Sequence, residues 1–290
     1  MNPRAWSIGQ WVTTACTLEV SIPKPGNVHR SADFSDTCFQ DFLLSAIAIG
    51  PVFDATPSLA LGSAVLRAVE STLQVVNRNT NLGMILLLAP LAAVAKAADG
   101  ELTSQSILQY LENTTAEDCR EIYQAIALCQ PGGLGKVSKF DVQHAEPPEH
   151  ILAAMRQAES RDMIARQYVN GFSEVLNFVW PEIRTHLMNG KSLVEAVIQA
   201  HLRSMHEYPD SLIARKNGEA LAAKSAAMAG HVLSSGEVGE PAWLKALADF
   251  DFWLRADGNR RNPGTTADLI AAAIFVGLVN DEIDLKRAWR

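Results

Sequence analysis

The run Met84-Ile85-Leu86-Leu87-Leu88-Ala89-Pro90-Leu91-Ala92-Ala93-Val94-Ala95 decides the fold. Apart from Pro90 its residues are Met, Ile, Leu, Val and Ala, it shows no alternation, and Leu, Ala and Met are strong helix formers. It is shorter than the about 20 residues that a bilayer crossing takes, and Lys96 follows it directly. A helix that is apolar on every side must be wrapped by other helices, so the run predicts a buried central helix. Working outward, helical periodicity predicts segments near 5–20, 41–49, 58–77, 82–98, 103–113, 115–129, 148–158, 160–187, 192–206, 218–234, 242–255 and 266–280. Thr114 with Glu117 and Thr265 with Asp268 fit the Ser/Thr-x-x-acid pattern that satisfies the free N–H groups at a helix start. No solenoid period and no Gly/Ser- or Pro-rich linker divides the chain. The expectation is one all-α domain over residues 1–290, with about a dozen helices.

Composition agrees. With 290 residues, 48% of them hydrophobic, the chain can bury a large core, and aromatics are only 7%. The net charge of −7 opposes general nucleic-acid or anionic-membrane binding, so an anionic ligand must find local cations. Cys16, Cys38, Cys119 and Cys129 form no CxxC pair and no tight framework, which predicts reduced thiols and a cytoplasmic protein. Polar residues interrupt the N-terminal segment, which therefore lacks the apolar stretch of a secretory signal.

Polar, Gly-bearing junctions stand between the apolar helices. Pro23-Lys24-Pro25-Gly26-Asn27-Val28-His29-Arg30 follows the first helix and places two cations and a rigid turn near Glu19. Asn79-Thr80-Asn81-Leu82-Gly83 precedes the apolar run, and Pro131-Gly132-Gly133-Leu134-Gly135-Lys136 follows another helix. Asp210-Ser211-Leu212-Ile213-Ala214-Arg215-Lys216-Asn217-Gly218 and Gly258-Asn259-Arg260-Arg261-Asn262-Pro263-Gly264-Thr265-Thr266-Ala267-Asp268 lead into two more. Free amides at helix starts, helped by the dipole and by neighbouring Arg and Lys, attract phosphate oxygens. Each junction alone is ordinary helix punctuation; together they suit one magnesium-bound triphosphate.

Other arrangements fail. The Gly132–Lys136 stretch is no P-loop, because Gln130 stands where the first glycine belongs and Val137 replaces the hydroxyl residue. There is no HExxH, no His-Asp dipeptide and no Asp-Asp pair, and His201 and His206 lack a matching ligand set for zinc.

In order along the chain, Leu18-Glu19-Val20-Ser21, the Pro23–Arg30 segment, Asn79–Gly83, Pro131–Val137, Arg215–Gly218 and Asn262-Pro263-Gly264-Thr265-Thr266-Ala267-Asp268-Leu269 resemble the triphosphoribosyl-dephospho-CoA synthase family, the CitG/MdcB type. The resemblance implies an all-α enzyme that moves the 5-triphosphoribosyl group of ATP to the ribose 2-hydroxyl of dephospho-CoA, with release of adenine. The chain departs from the usual pattern at two places: Val28-His29-Arg30 where Val-Asp-Arg is typical, and Thr80-Asn81-Leu82-Gly83 where Thr-His-Lys-Gly is typical. It resembles a divergent branch, so ATP follows more firmly than the acceptor.

Displacing adenine builds positive charge on the sugar and negative charge on the base, so the site needs carboxylates and a proton donor. The triphosphate serves as a handle whose binding positions the reacting carbon. Glu19, Asp141 and Asp268 are the expected catalytic carboxylates, with Glu19 and Asp268 also expected to hold Mg²⁺. Lys24, Arg30, Lys136, Arg215, Lys216, Arg260 and Arg261, with Asn79, Asn81 and Gly133, are the expected phosphate and nucleotide contacts. Glu19 lies near a helix C-terminus, where the dipole disfavours an anion, so its removal is expected to be neutral or stabilising. Asp268 is expected to contribute about 1 kcal/mol as a cap partner. A different cofactor-precursor acceptor, an N-glycosidic hydrolase and a nucleotide-binding module without turnover are the alternative readings, and an oligomer is compatible with all of them.

Overall fold

The computed structural model describes residues 6–55, 60–97, 102–130 and 147–286. In chain order the helices are α1 (Ile8–Ser21), α2 (Phe39–Ala55), α3 (Leu61–Val76), α4 (Leu82–Ala97), α5 (Ser104–Glu112), α6 (Ala116–Cys129) and α7 (Ile151–Ala158). They continue as α8 (Met163–Asn170), a π-helical turn Val175–Val179, α9 (Trp180–Met188), α10 (Leu193–Glu207), α11 (Ser211–Asn217), α12 (Glu219–Ser234), α13 (Pro241–Arg255) and α14 (Gly264–Val279). A short extended segment, Ala256–Asn259, follows α13. The all-α class is the one the periodicity predicts. Among the described residues no helix is long and apolar enough to cross a membrane, and the four cysteines are free thiols.

The apolar run becomes α4, whose Ile85, Leu87, Leu88, Ala89, Leu91 and Ala92 have no exposed surface. It packs against α14, buried from Leu269 to Leu278. Around this pair, α1 packs on α2 and α14, α3 on α2 and α6, and α10 on α9, α12 and α14. The core is continuous through these contacts. Because α14 is sheathed on every side, its start is fixed relative to the ends of α1, α4 and α11.

Three local readings need correction. The expected helix 160–187 is broken: α8 ends where Gly171 and Phe172 take left-handed backbone conformations. Beyond it, the Trp180 N–H reaches back to Val175 O, just ahead of Pro181, which cannot donate. The cap of α6 is Thr115 with Asp118, one residue beyond the expected pair; Thr115 Oγ1 accepts from Asp118 N, and Asp118 Oδ2 accepts from Thr115 N. The tandem Thr114-Thr115 offers both registers, and the structure uses the one that buries Asp118 against Gly62 N. Thr265 and Asp268 do not form a capping box, because α14 starts earlier, at Gly264. A distant acid satisfies its first amides instead: Asp210 Oδ2 accepts from Thr266 N and from Thr266 Oγ1, both at 2.8 Å.

Candidate active site

A cavity of about 530 Å³ opens where α1 ends and where α4, α8, α11 and α14 begin. Its apolar lining includes Tyr123 and Ile126 of α6, Ile151, Ala154 and Met155 of α7 and Ile164 of α8. Its polar lining includes Glu19, Asn27, Asn79, Asn81, Arg215, Lys216 and Asp268. One half can shed water from an apolar ligand part while the other meets charge.

The loop after α1 is tied to the approach to α14. Gly26 has φ +78°, and a Cβ there would lie 2.7 Å from Leu254 Cδ1 and 2.8 Å from Pro263 Cδ, so both conformation and packing require glycine. Its N–H donates to Asp251 Oδ1 at 2.7 Å. Arg255 holds both oxygens of Asp251 at 2.9 Å and donates to Asn27 O. Asn27 Nδ2 donates to Asn262 Oδ1 at 2.7 Å. The Pro-Gly-Asn and Asn-Pro-Gly motifs, 235 residues apart, are thus one structural unit.

Two acids fasten the other helix starts by the same device. Asp162 Oδ1 accepts from Ile164 N and Ala165 N at the start of α8, while its Oδ2 receives Arg215 Nη1 at 2.6 Å. Asp210 Oδ1 caps α11 at Leu212 N and Ile213 N, while its Oδ2 holds Thr266 of α14. Between them, Ser211 Oγ accepts from Met163 N and donates to Thr265 Oγ1. Three helix starts are therefore locked together, and Arg215 keeps a buried Nε with no partner among the described residues.

The carboxylates differ in their surroundings. Glu19 and Lys24 form a buried ion pair at 2.8 Å, with side-chain exposures of 4% and 0%. Lys24 Nζ also donates to Glu19 O and Ile22 O at the C-terminal end of α1, satisfying carbonyls that the helix leaves open. Burial pushes the Glu19 carboxyl above its usual range and Lys24 draws it part of the way back. Asp268 accepts no hydrogen bond among the described residues and faces the cavity. Its burial, reinforced by the nearby Glu19, Asp210 and Asp162, holds its carboxyl well above the ordinary carboxylate range, against a smaller opposing pull from Arg215. Lys216, which forms no ion pair among the described residues, has its ammonium lowered by burial, partly offset by Asp210 and Asp36.

Of the residues expected at the site, Glu19, Asn79, Asn81, Arg215, Lys216 and Asp268 line one cavity. Lys24 does not: it lies behind Glu19, wholly buried, as its counterion. Arg30 is exposed and outside the cavity wall. Arg260 is exposed and bonded to Asn217. Arg261 turns onto Trp253, 4.6 Å over the ring, and donates to Trp253 O. None of these three lines the cavity: Arg30 and Arg260 are exposed, and Arg261 is half-buried against Trp253. Gly133, Lys136 and Asp141 lie outside the described residues. Sequence reasoning missed Arg161 and Asp162, hidden inside what read as one long helix, and Asn27, Asp36 and Asn259, which also line the cavity. The signal for Asp162 was its place before an apolar periodic run, the position of a helix cap.

The family model for ATP:dephospho-CoA triphosphoribosyl transferase matches residues 5–287, with all the lining helices inside the match. The chain belongs to this family. It is accordingly a transferase that moves the triphosphoribosyl group of ATP to dephospho-CoA. A solved structure from Archaeoglobus fulgidus, described as a triphosphoribosyl-dephospho-CoA synthase, superposes with a TM-score of 0.64. At 24% identity it covers 83% of this chain and 100% of its own, and supports the fold. No curated protein matches the chain in sequence.

In this transferase Gly83 packs closely against Asp268. A Cβ there would lie 2.0 Å from Asp268 Oδ2, closer than any real contact. Gly83→Ala should therefore displace the carboxylate and lower the rate of adenine release by at least about tenfold, 1.4 kcal/mol in the barrier. The helix itself gains from alanine, so an unfolding midpoint at or above wild type with full activity would show that Asp268 need not sit there.

Proposed function

We propose that the polar half of the cavity binds the triphosphate and ribose of ATP, and that Glu19 and Asp268 act on opposite charges of one transition state. The observation that carries this reading is the contrast between two acids that line one cavity: Glu19, buried and ion-paired with Lys24, and Asp268, half-buried, without a hydrogen-bond donor among the described residues and close to other acids. As the bond to adenine breaks, the sugar becomes positive and the base negative. Glu19 faces the sugar as the anionic member of its pair. Asp268 retains its proton in this environment and delivers it to the departing base. Arg215 and Lys216 draw in the triphosphate, and remote binding of that group positions the reacting carbon.

No cluster of three His, Cys, Asp or Glu side chains suited to a metal is found among the described residues. Mg²⁺ carried by a triphosphate needs only one or two protein carboxylates, and the Glu19 oxygen not taken by Lys24 fits that need. The metal would supply neutralisation of phosphate charge. Asp268, expected from sequence as a second ligand, is assigned to proton transfer instead. ATP as substrate and the free thiols fit a cytoplasmic protein.

The direct test incubates the protein with ATP, Mg²⁺ and dephospho-CoA, and follows adenine release together with product mass. Adenine release without acceptor would favour the hydrolase, and binding without turnover the nucleotide-binding module. Lys216→Ala should weaken ATP binding by about 1–3 kcal/mol in calorimetry, the value of a charge-assisted bond to phosphate, with the fold unchanged. Unaltered affinity would remove Lys216 from the phosphate site.

A further inference from the structure

We propose that the groove between α6 and α7 holds the pantetheine arm of dephospho-CoA, so that these two helices select the acceptor while the polar lining binds ATP; this rests on the transfer reading above. Dephospho-CoA carries its reacting ribose at one end and, beyond a pyrophosphate, an uncharged arm of aliphatic links, two amides and a thiol. One set of lining residues has that character. Ile126 and Cys129 of α6, three apart, and Ala154 and Ala158 of α7, four apart, lie side by side on one face of each helix. All four are half-buried: they pack against the core, keep exposed surface and line the cavity. Covering such surface with an apolar ligand part is favourable. Gln130, at the end of α6, and Gln157 of α7 also line the cavity and are exposed, which offers side-chain amides to the amides of the arm.

Packing separates this groove from the charged residues. α6 packs on α3 and α7, and α7 on α5, α6 and α8. Glu19, Arg215, Lys216 and Asp268 stand on α1, α11 and α14, and α14 packs on both others and on α4. Of the lining helices, α8 joins the two sets, packing on α7 and also on α4 and α14. In its first turn, Ile164 Cδ1 lies 2.8 Å from the Cβ position of Gly83, whose nearest neighbour is Asp268 Oδ2 at 2.0 Å. The start of α8 therefore stands at the proposed proton donor, and α7 leads into it. The leaving base has to be within reach of Asp268, so adenine belongs at the α8 start and not between α6 and α7. Length agrees: the lining residues of α7 run from Ile151 to Ala158, a rise of roughly 10.5 Å, longer than a purine and suited to an extended chain.

Adenine release with dephospho-CoA or ADP as acceptor, together with calorimetry of ATP and dephospho-CoA, tests the inference. ADP keeps the ribose 2-hydroxyl and the pyrophosphate and lacks the arm. Wild type should show a kcat/KM for dephospho-CoA at least about 100-fold above that for ADP, because remote binding energy positions the reacting hydroxyl; equal values would overturn the proposal. Ala154→Phe fills the groove. It should raise KM for dephospho-CoA by at least about tenfold, as a misfit in an apolar pocket does, while Kd for ATP stays within about twofold. Its kcat/KM for ADP should be that of wild type, a pattern that a general loss of fold would not give. Ala158→Leu should shift KM for dephospho-CoA the same way, and decides alone if Ala154→Phe does not fold. An equal loss of ATP affinity would place the base of ATP between α6 and α7, and an unchanged KM for dephospho-CoA in a folded variant would place the arm elsewhere; either overturns the proposal. Absence of adenine release by wild type would instead strike the transfer reading, and calorimetric Kd values of dephospho-CoA for wild type and Ala154→Phe would still decide this one.

Discussion

Lys24→Met should destabilise the protein by about 3–5 kcal/mol, the usual cost of removing one partner from a buried ion pair. The substitution keeps most of the volume but leaves the Glu19 carboxylate desolvated without its counterion and two carbonyls at the end of α1 without their donor. Adding Glu19→Gln should recover a large part of the loss, because a neutral amide is far cheaper to bury than a lone charge. Glu19→Gln alone should also destabilise, since it orphans the Lys24 ammonium at a fully buried position; this reverses the neutral or stabilising effect expected from the helix dipole alone. Denaturant unfolding of the two single variants and the double variant gives the coupling directly. A cost below about 1 kcal/mol for Lys24→Met would mean that the pair is not formed in solution. Lys24 would then return to the list of phosphate contacts that its fully buried position removes it from.

The fold was legible because it depends on period and composition. An apolar run such as 84–95 can be satisfied in only a few ways, and its helical length and lack of alternation left one. Helix ends were less legible. The Thr114-Thr115 pair supports two caps of equal local quality, and burial of Asp118 against α3 chooses between them. The site was legible as a set of motifs but not as a set of directions. Glu19, Asn79, Asn81, Arg215, Lys216 and Asp268 share the cavity wall because each sits at a helix terminus that the core aims inward. Lys24, Arg30, Arg260 and Arg261 carry the same charge in the same motifs, yet what they face is set by partners such as Glu19 and Trp253 that lie elsewhere in the fold. Asp210 shows the limit most clearly. Its chemistry would suit a metal or a proton, but four hydrogen bonds to α11 and α14 consume it as a clamp.

Asp268→Asn should lower the rate of adenine release by at least about 100-fold, or 2.7 kcal/mol in the barrier, within the usual contribution of a positioned proton donor. It should also remove the alkaline limb of the pH–rate profile. The sign follows from the raised carboxyl: the protonated, donating form persists above the ordinary aspartate value of about 3.9, and activity falls as pH rises through the raised value. The same shift governs stability. In the window between the unfolded value and the raised folded value, the native state holds a proton that the unfolded chain has lost, so stability declines as pH rises. Asparagine carries no such proton and removes one acid from the neighbourhood of Glu19, Asp210 and Asp162. The variant should therefore unfold at a higher temperature than wild type near neutral pH, rather than lose the about 1 kcal/mol of a cap, because Asp268 caps nothing in the structure. Gains in stability with loss of turnover are expected of a residue kept for its chemistry at a cost to the fold. An unchanged pH profile in Asp268→Asn, measured at saturating ATP and dephospho-CoA, would show that the proton comes from elsewhere. The carboxylate would then be left the role of orienting the sugar beside the start of α4.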